Sequence, residues 1–192
     1  MGFAKRPLVL YSGMTRPRDY NCYMHREFLE YSTRKLRQME GRIESCLGEL
    51  TEAQVWTRAS ENENAVGNLV LHLCGNVRQW IVAGVGGAAD IRRRDEEFAA
   101  REGVSIPQLI DRLRMVVAEA TDVIDNVPLA RLTQHVVIQS YDVTTLEAIY
   151  HVVEHFSGHT GQIIFATKLL TSRDLGFHHH LRTTDPHSQP TP

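Results

Sequence analysis

The segment Thr144–Leu170, TTLEAIYHVVEHFSGHTGQIIFATKLL, reads as one helix of about 26 residues ending near Ser172. Thr144 followed three residues on by Glu147 is a capping-box pattern, in which each side chain satisfies a backbone N–H that the first helical turn leaves open. Inside the segment His151, His155 and His159 recur every four residues. Each such step rotates a side chain only about 40° around the axis, so the three imidazoles share a face. Burying several polar rings together is costly unless something pairs with them, and a metal ion held by their nitrogens would do that. Spacing alone leaves open which of them bind, because His151 with His155 and His155 with His159 are equivalent pairs.

Upstream, NAVGNLVLHLCGNVRQWIVAGVGG carries a second helix over residues 65–83, capped by Asn62 or Asn64 and stopped by GVGG. Leu69, His72, Leu73, Asn76 and Trp80 lie along one stripe of it, so His72 faces inward and can bring a third nitrogen to the pair on the last helix. Two more long helices complete the pattern. Residues 20–47 place Tyr23, Phe28, Tyr31, Leu36, Met39, Ile43 and Leu47 on one side, with Gly41 and Gly48 bending and ending the run. Ser105 and Gln108 form a capping box with Pro107 in the first turn, opening a helix to about Asn126 with Leu109, Ile110, Leu113, Val116, Val117, Ala120 and Ile124 on its apolar face.

Thr51 with Gln54 opens a short helical turn. The β-branched run LTQHVVIQSY, residues 132–141, is an extended crossing segment or a small strand. The expectation is an all-α four-helix bundle with a long connection before the last helix. It divides the chain into a polar lead (1–18), the bundle domain (19–177) and a flexible C-terminal tail (178–192) containing His178, His179 and His180.

The 192 residues and 42% hydrophobic content suit one domain with a closed core. A net charge of −2 and a pI near 6.5 lack the basic footprint of a nucleic-acid or anionic-membrane binder. No apolar run approaches the ~18 residues of a membrane span, and the N-terminal stretch lacks the apolar core of a signal peptide, so a cytoplasmic protein is expected. Cys22, Cys46 and Cys74 form no CxxC pair, and an odd count fits free thiols in a reducing compartment.

NAVGNLVLHLCGN, the arginine-rich RRRDEEF, VVIQSYDVTTLEAI and HFSGHTGQIIF, in this order, resemble the DinB/YfiT-like superfamily of metal-dependent bundle proteins over about residues 28–177. The resemblance implies a metal held by one histidine of the second helix and an HxxxH pair just ahead of a GQI-like tripeptide. By motif these are His72, His155 and His159. His151 falls outside the motif, as an orienting partner, an alternative ligand or a residue at the cavity mouth. Some members are thiol-dependent S-transferases, and by that analogy Asn76, Trp80, Tyr150 and Gln162 would wall the cavity; the plainer reading makes Trp80 and Tyr150 core aromatics and Gln162 a cap on a buried polar group. The superfamily also implies a homodimer.

Three neutral imidazoles suit zinc, nickel or iron. Cys74, two residues past His72, points nearly opposite to it, and Glu154 lies off the histidine face. Arg92, Arg93 and Arg94 alternate with Asp95, Glu96 and Glu97 as a salt-linked surface segment, with attraction of a carboxylate-bearing thiol cofactor as the other reading. The functional expectation is a metal-dependent transferase joining a low-molecular-weight thiol to a small-molecule electrophile. The alternatives are a metal-dependent hydrolase and a non-catalytic bundle whose metal staples helices or senses metal supply.

Overall fold

The computed structural model describes residues 17–177, with side chains from Tyr23 onward. The expected flexible tail and all but the last two residues of the polar lead lie outside the described residues, as does the Cys22 side chain. The molecule is mostly helical: α1 (Pro17–Gly48), α2 (Glu52–Val55), α3 (Val66–Val77) running on as a π-helical turn (Arg78–Val85), α4 (Arg94–Ala99), α5 (Ile106–Asp125) and α6 (Thr145–Thr171). A two-stranded antiparallel sheet, β1 (His135–Ile138) and β2 (Tyr141–Thr144), is the small-strand form of the uncertain connection. Among the described residues no helix is long and apolar enough to cross a membrane.

The expected capping boxes form at Thr51, Ser105 and Thr144, each hydroxyl accepting the N–H three residues on. Such a cap contributes about 1 kcal/mol. The start of α3 differs from expectation: Ala65 takes the cap position rather than Asn62 or Asn64, and Asn68 Oδ1 accepts its N–H at 3.2 Å. Helix α6 has a second anchor, because Thr145 N–H donates to Gln134 O (2.9 Å) and Leu146 N–H to Leu132 O (3.0 Å). The segment leading into β1 thus supplies acceptors to the open N–H groups of the first turn.

Helices α5 and α6 pack along α1, and α3 packs across both of them. Leu36, Ile43 and Leu47 of α1, Leu73 and Ile81 of the α3 segment, Leu109, Leu113 and Ile124 of α5, and Ile149, Phe156 and Ile163 of α6 are fully buried between them. Tyr31, expected on the inner face of α1, is half exposed; Leu29 is buried in its place. The hairpin lies against the π-helical turn, so close that a Cβ on Gly84 would meet Ile138 Cδ1 at 2.4 Å. That contact sets β2 and the hairpin tip beside the inner face of α3.

Candidate metal centre

Helix α3 turns His72 inward and α6 turns His155 and His159 toward it. His72 Nε2 lies 3.1 Å from His155 Nε2, and His159 Nε2 lies 3.2 Å from the same atom. One ligating nitrogen from each ring falls within 4.8 Å of the others. Nitrogens around a tetrahedral zinc at ~2.05 Å stand about 3.3 Å apart, so two of the three separations already match such an ion.

The protons make the same point. Glu97 Oε2 sits 3.1 Å from His72 Nδ1, and Gln162 Oε1 sits 2.7 Å from His159 Nδ1. Arg92 Nη2 also lies 3.1 Å from His72 Nδ1; in the tautomers that donate from Nδ1 to the two oxygens, each ring leaves a bare lone pair on Nε2, aimed at the third histidine. His155 can put one proton between them, which satisfies one neighbour and leaves the other lone pair facing nitrogen. A cation satisfies all three. His155 Nδ1 is buried without a partner among the described residues. Burial first, and then the neighbouring imidazoles of His159, His72 and His151, push the His155 pKa down to about 3, so this ring is neutral near pH 7. His159 is also lowered, chiefly by burial.

Glu97 reaches His72 because α4 is tied to α3. Asn68, one turn before His72 and fully buried, donates to Glu97 O (2.8 Å) and Ala100 O (2.9 Å). Arg92 then clamps the carboxylate through Nε to Oε1 and Nη2 to Oε2, both at 2.8 Å. Burial pushes the Glu97 carboxyl up, but hydrogen bonds and charge from Arg92, and secondarily His72, outweigh it and hold the group below its ordinary value. Here the surface-segment expectation fails: Arg93 and Glu96 pair in solvent, whereas the Arg92 and Glu97 side chains are 4% and 10% exposed. Sequence reading missed both because 25 residues separate Glu97 from His72. Gly75, a glycine inside a helix one turn past His72, was the available signal; a Cβ there would stand 1.9 Å from Glu97 Oε1.

Beside the histidines a cavity of about 440 Å³ is lined by His72, His155, His151, Asn76, Trp80, Arg92, Arg94, Glu147 and, from the hairpin, Gln139, Tyr141 and Val143. Asn76 and Trp80 stand in this wall, and His151 lies against Trp80 with ring centroids 4.1 Å apart. Tyr150 does not line this cavity: it is 63% exposed and lines a groove between α6 and α1 with Tyr31, because one residue before His151 is a turn of about 100° away from the histidine face. Gln162 is exposed and acts on His159 rather than on the cavity wall. Cys74 lines a separate cavity on the far side of α3, with its thiol pushed up to about 12 by burial, and it takes no part in the histidine group.

Fold and site together define a mostly helical protein with a group of three histidines that could hold a metal ion. The chain belongs to the DUF1572 family, whose members are described as proteins of unknown function; the family model matches residues 23–178. The crystal structure of a conserved protein from Enterococcus faecalis is similar, with a TM-score of 0.63 and 18% identity over 75% of this chain and 97% of that one. At that identity the likeness concerns the fold. No curated protein matches the chain.

Proposed function

We propose that the chain is a metal-dependent S-transferase on a DinB/YfiT-like four-helix bundle, with α1, α3, α5 and α6 as the four helices. His72, His155 and His159 would hold zinc, nickel or iron, and the substrates would be a low-molecular-weight thiol and a small electrophile. The observation that carries this reading is the convergence of three Nε2 atoms beside a cavity of small-molecule size, with two of the rings oriented from behind by Glu97 and Gln162.

The ion would supply Lewis acidity, lowering the pKa of a thiol beside it. The protein's own residues supply the rest. His72 and His159 present lone pairs in fixed orientations, and His155 is neutral without needing to lose a proton first. His151, in the cavity wall, has its pKa lowered chiefly by burial, so it is a neutral base able to take the proton the thiol gives up. Trp80 and the hairpin residues Tyr141 and Val143 form the cavity wall beside His151.

Metal content by plasma mass spectrometry tests the site in protein with His178, His179 and His180 replaced by alanine. About one metal per chain, lost in both His72→Ala and His155→Ala, is the expected result. Metal retained by both variants, or none after reconstitution, would remove the site. Turnover of an electrophile that requires added thiol supports the transferase; turnover in water alone identifies a hydrolase.

A further inference from the structure

We infer that the cavity beside the histidines takes a ligand bearing a carboxylate, and that Arg94 is the residue that receives it. The inference rests on the metal reading above and adds the chemical class of what binds there. Its starting point is an arginine without a job. Arg92 is matched by Glu97, Arg93 by Glu96, Arg78 by Glu119, Arg101 by Glu61 and Arg114 by Glu44. Arg94 lines the cavity and has no carboxylate partner among the described residues.

Its guanidinium is nevertheless held in place. It lies over the Phe98 ring, 5.0 Å from the centroid, and Phe98 packs in turn on His72 with centroids 4.8 Å apart. The cation therefore stands one aromatic ring away from the histidine group, over Phe98, with its N–H edge matched by no carboxylate among the described residues. That edge matches the two oxygens of a carboxylate.

Charge points the same way. Among the cavity's carboxylates, Glu147 is occupied by the Thr144 N–H and hydroxyl at the start of α6, both at 2.7 Å. Glu97, behind the wall, is consumed by Arg92. Of the two arginines in the cavity wall Arg92 is paired with Glu97, which leaves Arg94 as the cation there without a carboxylate partner among the described residues. Two further polar atoms in the same wall, the acceptor Asn76 Oδ1 and the donor Trp80 Nε1, are buried without a hydrogen-bond partner among the described residues. Buried polar groups are ordinarily paired, and a ligand oxygen would accept from Trp80 Nε1, whereas Asn76 Oδ1 would take a donor elsewhere on the ligand.

The test uses cobalt(II)-loaded full-length protein and two thiols of equal chain length, 6-mercaptohexanoate and the uncharged 6-mercapto-1-hexanol, followed by the cobalt–sulfur absorption band. Wild type should bind the acid about tenfold more tightly than the alcohol, the scale of one charge-assisted hydrogen-bonded pair. Arg94→Gln should abolish that preference while leaving the alcohol's affinity unchanged, and Arg93→Gln should leave the preference intact. Equal binding of acid and alcohol by wild type, or a preference that survives Arg94→Gln, overturns the assignment while leaving the metal reading standing. Equal losses in the two variants also overturn it, since they would indicate diffuse loop charge. Failure of cobalt to bind at all removes the metal reading and this inference with it.

Discussion

At Gly75 a single methyl group would stand 1.9 Å from Glu97 Oε1 and 2.7 Å from its Cδ. The carboxylate is the end of a flexible side chain, yet it has little freedom to retreat, because moving it breaks both Arg92 contacts and the one to His72. Gly75→Ala therefore sets two effects against each other. Alanine in a helix interior is favoured over glycine by about 1 kcal/mol, while the displaced carboxylate no longer orients His72. The expected outcome is a melting temperature changed by only a few degrees and a metal affinity lowered roughly 10- to 100-fold, the usual effect of losing a group that orients a ligand. Gly41→Ala is the control, since a Cβ there meets nothing within 4 Å and only the helix preference remains. Competition with a metallochromic chelator reads the affinities; equal metal binding in wild type and Gly75→Ala would show that Glu97 does not tune the site.

Helix α4 has six residues and could not persist alone, so its place is set by what holds it. Asn68 is the main tie, donating to two carbonyls at the end of α4 while its own Oδ1 accepts from Ala65 N–H and Arg58. Asn68→Ala takes the side-chain donor from Glu97 O and leaves Ala100 O to Arg58, and it should cost about 1–3 kcal/mol in urea unfolding. It should also weaken metal binding, since Glu97 is carried on α4; full affinity in a destabilised Asn68→Ala protein would separate the tie from the site. The same element marks where sequence reading stopped. The long helices, the three capping boxes and the four-residue histidine spacing of the last helix were legible because each is a local signal, a spacing of three or four residues along one chain segment, whereas the choice of His72, His155 and His159 comes from the family resemblance. The pairing of Glu97 with His72 is a contact between distant segments, and alternating Arg and Glu looks the same whether it faces water or a core. Tyr150 differs for another reason: the analogy with thiol-dependent transferases sets it in the cavity wall, but the helical turn carries it away from the histidine face.

For the whole molecule the question is whether the ion holds the helices together or is held by them. The largest buried side chains, among them Leu36, Ile43, Leu73, Leu113, Phe156 and Ile163, form a cluster that needs no cation, so removing metal should leave helicity intact. An ion bound only by the folded state, at a hundredfold excess over its dissociation constant, stabilises by about 2.7 kcal/mol, or roughly 5–10 °C for a chain of this size. Chelation near pH 7.5 should therefore lower the melting temperature by that much without changing the far-ultraviolet circular dichroism. Loss of helical signal at 25 °C would instead make the metal a structural staple. Acid should act in the same direction as the chelator. His155 has a folded pKa of about 3 against an ordinary value of 6.5, so between these limits the unfolded chain binds more protons and stability falls as pH falls. His151 and His159, lowered as well, and Glu97, held below its ordinary value, add to the loss with the same sign. Protons also compete with metal for the same nitrogens, so the melting curves of loaded and chelated protein should converge only as pH nears the low folded pKa of His155, about 3. A chelation effect that persists undiminished at that pH would place the ion on ligands other than these histidines.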